Sequence, residues 1–165
     1  MITVYENPWF AVIREGGFHF VREAKAVNGA AVLIVAGTDF ILVEVERPAL
    51  GCTLLEVPRG YGNEGETSSD CALREGFEET GFRLGVPVFL GKVSPNSGIL
   101  RSQVDLFICE AIEPHPVKDP DGEVVGVVRV SISESGKFVA DGRINDGFTL
   151  ACLAHFWSRN AGRAL

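Results

Sequence analysis

Gly60-Tyr61-Gly62-Asn63-Glu64-Gly65-Glu66-Thr67-Ser68-Ser69-Asp70-Cys71-Ala72-Leu73-Arg74-Glu75-Gly76-Phe77-Glu78-Glu79-Thr80-Gly81-Phe82 is the stretch on which the reading of the fold turns. Its first part is glycine-rich, a composition that lets a backbone approach a ligand closely. Thr67 can cap a helix, Asp70 completes a capping box three residues on, and Gly81 suits the left-handed position after a helix end. The stretch therefore predicts a turn followed by one helix. On that helix Glu75, Glu78 and Glu79 stand at i, i+3 and i+4, which puts three carboxylates on one face. Two such charges about 4 Å apart repel by roughly 1–4 kcal/mol, depending on the local dielectric. Packing alone gains nothing from that arrangement, whereas a divalent cation would reverse the sign of the interaction. Taken alone, the run also reads as a solvated acidic face partly neutralised by Arg74. No D-x-D-x-D-G loop is present, so an EF-hand is excluded.

Outward from this helix the chain reads mostly as strands. Trp9 to Arg14 and Phe18 to Glu23 flank Gly16-Gly17, and Ala30 to Ala36 and Phe40 to Glu46 flank Gly37-Thr38-Asp39, giving two predicted hairpins. Thr53 to Val57 is a short strand stopped by Pro58; Val86 to Val93, Gln103 to Ile112 and Val124 to Ile132 complete the set. A second helix follows Asn145-Asp146, with Thr149, Cys152, Leu153, Phe156 and Trp157 at helical spacing on one buried face. A short helix is expected near Ser133 to Val139. The Pro-bearing segment Glu113 to Gly122 reads as a loop, either over a site or inert.

The whole chain of 165 residues fits one domain with a real core. With 46% hydrophobic and 22% charged residues it is an ordinary globular composition, which excludes disorder, collagen and a disulfide scaffold. The net charge of −7 argues against a duplex nucleic-acid partner. The acidity is concentrated: Glu64, Glu66, Asp70, Glu75, Glu78 and Glu79 against Arg74 alone put −5 of the −7 between Gly60 and Thr80. No run approaches the ~20 apolar residues of a membrane span, and Met1 to Glu6 lacks a basic start, so the expectation is a cytoplasmic protein without a membrane partner. Cys52, Cys71, Cys109 and Cys152 are scattered and read as buried, reduced thiols. His19, His115 and His155 show no metal-ligand spacing.

Gly60-x5-Glu66-x7-Arg74-Glu75-x-x-Glu78-Glu79-x-Gly81-Phe82 resembles the Nudix box at seven defined positions: Gly60, Glu66, Arg74, Glu75, Glu78, Glu79 and Gly81. Gly76 departs from it, standing where the family has a bulky aliphatic residue, and should weaken the helix by about 1 kcal/mol relative to Ala. Beyond the box, Arg47-Pro48, Leu55-Glu56-Val57-Pro58-Arg59-Gly60 and the opening Tyr5-Glu6-Asn7-Pro8-Trp9 are similar to the ADP-ribose and nucleotide-sugar pyrophosphatases. Ser94-Pro95-Asn96-Ser97-Gly98 is similar to that subfamily's Pro-containing loop, and Arg143 to Thr149 to the start of its last helix.

The resemblance implies an α/β fold, a Nudix-type α/β/α sandwich with a mixed β-sheet. An extra N-terminal antiparallel strand section over residues 1–28 would join two subunits as a homodimer, and residues 29–165 would form the Nudix hydrolase domain. The implied activity is that of a Nudix pyrophosphohydrolase: Mg²⁺-dependent hydrolysis, with Mn²⁺ as the other candidate ion, of the diphosphate linkage in ADP-ribose or a related nucleoside diphosphate sugar. Alternatives are another nucleotide (GDP-mannose, a dinucleoside polyphosphate, NADH or a nucleoside triphosphate) or a non-hydrolytic nucleotide-sugar-binding module.

By the same analogy Glu75 and Glu79 are the main metal ligands, Glu78 is a further ligand or lies just outside the set, and the carbonyl of Arg59 or Gly60 completes it. Arg74 would orient the glutamates through charge-assisted hydrogen bonds. Gly60, Glu66 and Gly81 are structural within the motif. Some subfamily members keep the water-activating carboxylate on a loop outside the box; Glu113, Asp119, Asp121 and Glu123 are the candidates here, Glu123 the choice. Arg47, Glu56 and Arg101 are the substrate-binding candidates, with Tyr5, Phe18 and Tyr61 available to stack on a base. With two bound divalent ions the acidic stretch would move from −5 to about −1, so a small phosphorylated substrate becomes acceptable to an acidic protein.

Overall fold

The computed structural model describes residues 1–114 and 122–161. Two sheets and three helices make up this part of the chain. The N-terminal strands β1 (Ile2–Glu6), β2 (Phe10–Glu15) and β3 (Phe18–Glu23) form a separate antiparallel sheet in that order. Ala11 and Ile13 are its buried residues, while every residue of β1 is exposed. It joins the main body through backbone hydrogen bonds from Val21 N–H to Ile99 O and from Arg101 N–H to Val21 O.

The main sheet contains β4 (Ala30–Ala36), β5 (Asp39–Arg47), β6 (Cys52–Glu56), β7 (Arg59–Gly60), β8 (Phe82–Leu84), β9 (Val88–Val93), β10 (Val104–Pro114) and β11 (Val124–Ser131). Its path runs β11-β5-β4-β10-β8, with β6 paired to β5, β7 to β4 and β9 to β10. β10 runs parallel to β4 and the other pairings are antiparallel, so the sheet is mixed.

β4 explains the layering. Its sequence Ala-Ala-Val-Leu-Ile-Val-Ala is apolar throughout because both faces are covered, as expected for a central strand with a parallel neighbour. Ala30, Val32 and Ile34 face helix α1 (Ser68–Thr80) with Ile41, Cys71, Ala72 and Phe107. Ala31 and Leu33 face the other way, into a larger core with Phe40, Leu42, Leu106, Leu153 and Phe156, the last two from helix α3 (Gly147–Asn160). Helix α2 (Ile132–Ala140) lays Phe138 and Val139 against the same core. The result is the expected α/β/α sandwich with a mixed sheet.

The helix ends follow the sequence signals. Thr67 Oγ1 accepts from Asp70 N–H at 3.1 Å and donates to the Asp70 carboxylate at 2.6 Å, and Gly81 takes the left-handed conformation at φ 75°. Asp146 caps α3, its carboxylate accepting from Thr149 N–H at 2.8 Å. One expectation needs correction. Cys52 is exposed, because β6 lies at the margin of the sheet; the other three cysteines are buried. Gly76 is closely packed: a Cβ there would lie 2.5 Å from Leu84 Cδ1 and 3.2 Å from Val32 Cγ1, so Leu84 already fills the space. Strand β1 falls within the expected N-terminal strand section, while β7 and β8 are too short to show a period.

Candidate active site

A cleft of about 1140 Å³ opens between α1, the ends of β5, β6 and β7, the start of α3 and the N-terminal sheet. Glu75, Glu78 and Glu79 line it from α1, and Arg47, Glu56, Arg59 and Glu123 line it from the sheet side.

Arg74 organises the helical wall. Its Nε and Nη2 donate to the two oxygens of Glu66, each at 2.9 Å, its Nη1 donates to Glu75 at 2.7 Å and Glu78 at 3.0 Å, and its Nη2 also reaches the Tyr61 carbonyl at 3.0 Å. A planar guanidinium serves this many acceptors because its five donors are fixed in one fork. These hydrogen bonds, Glu66 first, hold the Arg74 charge more firmly than in a free arginine. In return Arg74 holds the Glu66 carboxyl below the usual carboxylate range, aided by the Asn63 N–H that donates to it at 2.8 Å. Glu66 thus ties the glycine-rich turn to the helix.

Gly60 is where the turn meets the carboxylates. A Cβ at this position would stand 2.0 Å from Glu75 Oε1, so the Glu75 carboxylate rests directly on the glycine backbone. Gly62 is equally confined, with Val27 O and Asn28 O at 2.7 and 2.9 Å from a would-be Cβ.

Among the described residues no three carboxylate, imidazole or thiol groups converge as a preassembled metal set. Glu75 and Glu78 are paired with Arg74. The donor chemistry nonetheless fits a hard divalent cation, since Glu75, Glu78, Glu79 and the nearby backbone carbonyls offer only oxygen.

The facing wall is cationic at its base. Glu56 is 1% exposed and accepts two bonds from Arg47, Nε to Oε1 at 2.8 Å and Nη2 to Oε2 at 2.7 Å. Arg59 joins it, with Nη2 2.9 Å and Nε 3.2 Å from Oε2. Burial pushes the Glu56 carboxyl upward, but the hydrogen bonds from Arg47 and the charges of both arginines outweigh it, so the group stays ionised and lies below the usual range. Arg47 also donates to the exposed Glu123 carboxylate at 3.2 Å, so Glu123 stands at the cleft on the same arginine.

Arg101 is exposed and is not among the residues lining the cleft, although its neighbours Leu100 and Ser102 are. Of the aromatic candidates only Tyr61 lines it; Tyr5 packs against Phe10 instead, with ring centroids 5.8 Å apart. Asp119 and Asp121 lie outside the described residues, as does His115. His155 packs its ring on Gly91, away from the cleft lining.

Sequence reading missed several groups that the fold delivers to the cleft. Glu23, at the end of β3, accepts from Tyr61 Oη at 2.7 Å and from Ser102 Oγ at 2.5 Å. Burial and that bond push the Tyr61 phenol up to about 12. Phe148 of α3 lies under Arg59, whose Cζ is 4.4 Å from the ring centroid. Each contact joins positions tens of residues apart, which no local pattern announces.

Comparison with known proteins agrees with this geometry. A family model described as NUDIX domain matches residues 25–146. The chain is 29% identical over 140 residues to the ADP-ribose pyrophosphatase of Bacillus subtilis, covering 81% of this chain and 75% of that protein. It is 28% identical over 139 residues to the GDP-mannose pyrophosphatase of Yersinia enterocolitica, covering 78% and 72%. A crystal structure of an ADP compounds hydrolase superposes with a TM-score of 0.78 at 20% identity, over 99% of this chain and 92% of that one. With the box in place around Arg74 and the family model spanning most of its length, the chain belongs to the Nudix family of pyrophosphohydrolases.

Proposed function

We propose that this enzyme hydrolyses the diphosphate linkage of ADP-ribose or a related nucleoside diphosphate sugar, with Mg²⁺ held by Glu75, Glu79 and Glu78 and a carbonyl of the Arg59–Gly60 turn. The observation that carries the reading is the cleft's polarity: three glutamates on the α1 wall face two arginines mounted on one buried carboxylate. A diphosphate needs both, cations for its charge and oxygen donors for the ion that accompanies it. When bound, the divalent ion would offset charge on the diphosphate oxygens. Arg74 keeps Glu75 and Glu78 oriented, Glu66 anchors Arg74, and Arg47 takes phosphoryl oxygens while holding Glu123 at the cleft as the base that accepts a proton from water. The names of the two pyrophosphatase relatives support a nucleotide-sugar substrate.

A panel of ADP-ribose, GDP-mannose, NADH, a dinucleoside polyphosphate and nucleoside triphosphates, run with Mg²⁺, Mn²⁺ or EDTA, tests the reading. Metal-dependent release of a nucleoside monophosphate and a sugar phosphate is expected; no turnover of any nucleoside diphosphate derivative refutes it.

The same proposal divides the chain into a strand section, residues 1–28, that pairs two subunits, and a catalytic domain, residues 29–165, working in the cytoplasm. Exposed Ile2, Val4 and Tyr5 on β1 supply an apolar surface for pairing, and no helix among the described residues is long and apolar enough to cross a membrane. Light scattering should give twice the chain mass of 17.8 kDa, and a monomer at every concentration would contradict the pairing.

A further inference from the structure

Glu56 carries two guanidinium partners. Arg47 alone gives it a two-pronged pair, at 2.8 and 2.7 Å, which is the geometry that makes a buried carboxylate tolerable. Arg59 adds a second guanidinium to the same oxygen. Its charge helps keep Glu56 ionised, and its orientation is tightly determined. Phe148 lies against it at 4.4 Å, and the nearest other acid, Asp146, is 4.0 Å away with its Oδ2 committed to Thr149. Arg59 donates one hydrogen bond to Glu56 from Nε, brings Nη2 within 2.9 Å of the same oxygen, and keeps 26% of its side chain exposed at the cleft.

A fixed guanidinium with spare donors, open to a cleft, has the chemistry to bind phosphoryl oxygens. We infer that the Arg59 side chain is a substrate-binding group that, paired with Arg47 on Glu56, grips the diphosphate of the substrate. Phe148 fixes the plane of the guanidinium, and Glu56 is the positioning residue for both arginines. The inference rests on the reading that the substrate carries a diphosphate, and it goes beyond any role for the Arg59 carbonyl.

Arg59→Gln and Arg59→Lys both keep a long stem over Phe148, so the fold should persist; thermal melting checks this. Calorimetric titration with inorganic pyrophosphate at saturating Mg²⁺ reads binding apart from nucleotide turnover. Wild type should bind, Arg59→Gln should bind at least about tenfold more weakly, the scale of one lost charge-assisted contact, and Arg59→Lys should fall between. With Mg²⁺ and the best nucleotide substrate, the loss should appear mainly in KM. A wild type that does not bind pyrophosphate, or an Arg59→Gln enzyme with binding and KM within about twofold of wild type, overturns the inference; should Arg59→Gln not fold, the same threshold applies to Arg59→Lys. Absence of nucleotide turnover by wild type with pyrophosphate binding intact would instead overturn the proposed activity and leave the arginine pair standing.

Discussion

The carboxylate of Glu75 rests on the α-carbon of Gly60, so closely that a methyl group there would fall 2.0 Å from Glu75 Oε1. The glycine of the box is therefore a spatial requirement of the helical glutamate, not only a turn former. Gly60→Ala must push Glu75 aside. A displacement on the scale of 1 Å in a catalytic group costs on the order of 100-fold, so kcat should fall by about that factor. Steady-state kinetics beside a melting curve separates this from unfolding; an Ala variant with wild-type kcat would show that Glu75 has no role in catalysis at this position.

Metal binding should be measurable without substrate. Arg74 satisfies Glu75 and Glu78 in its absence, so a cation has to compete with a guanidinium for these oxygens. At a Mg²⁺ concentration 100 times Kd the folded state gains about 2.7 kcal/mol, which for a chain of this size raises Tm by roughly 5–10 °C. Glu79→Gln should lose most of that rise while melting near wild type in EDTA. Equal shifts in both proteins would place the ion elsewhere.

Stability should decline in acid, with a sign set by two carboxylates. Arg74 holds Glu66 below the ordinary value of 4.5, and Glu56 lies below it despite its burial because of Arg47 and Arg59. A carboxylate lowered in the folded state stabilises fully above its unfolded value and loses that contribution as pH falls through the folded one. Urea midpoints should therefore be flat from neutral pH to about 5.5 and drop below about 4.5. Glu66→Gln should start lower and drop less. A variant that tracks wild type across the acid range would remove Glu66 from the account.

Gly76 and Leu84 form a complementary pair. A Cβ at 76 would meet Leu84 Cδ1 at 2.5 Å, so Gly76→Leu overfills the layer between α1 and the sheet and should cost about 1–3 kcal/mol. In a Leu84→Ala background the same change should cost less, and the double-mutant cycle should show coupling of about 0.5 kcal/mol or more. Additive effects would mean the two side chains do not share the space.

This pair also marks the boundary of what the sequence could reveal. Cap signals were sufficient for α1, periodicity for α3, and a run of seven apolar residues for β4. The spacing of Arg74, Glu75, Glu78 and Glu79 was sufficient for the acidic wall. Gly76 read only as a weak helix position, because its fit against Leu84 is a contact across two elements that helix propensity does not register. Glu56 read as a substrate-binding candidate, and only the fold reveals it buried under two arginines. Glu23 and Phe148 reach the cleft from β3 and α3, elements far apart in the chain, and Asp119 and Asp121 lie outside the described residues.

In the proposed reaction the α1 glutamates hold the ion that makes a nucleoside diphosphate cleavable. A ³¹P NMR time course of ADP-ribose with wild type and with Glu79→Gln, at equal Mg²⁺, tests it most directly. The diphosphate signals should give way to two phosphomonoester signals with wild type, EDTA should stop the reaction, and Glu79→Gln should leave the diphosphate intact. Equal cleavage by the variant, or cleavage by wild type undiminished in EDTA, would contradict it.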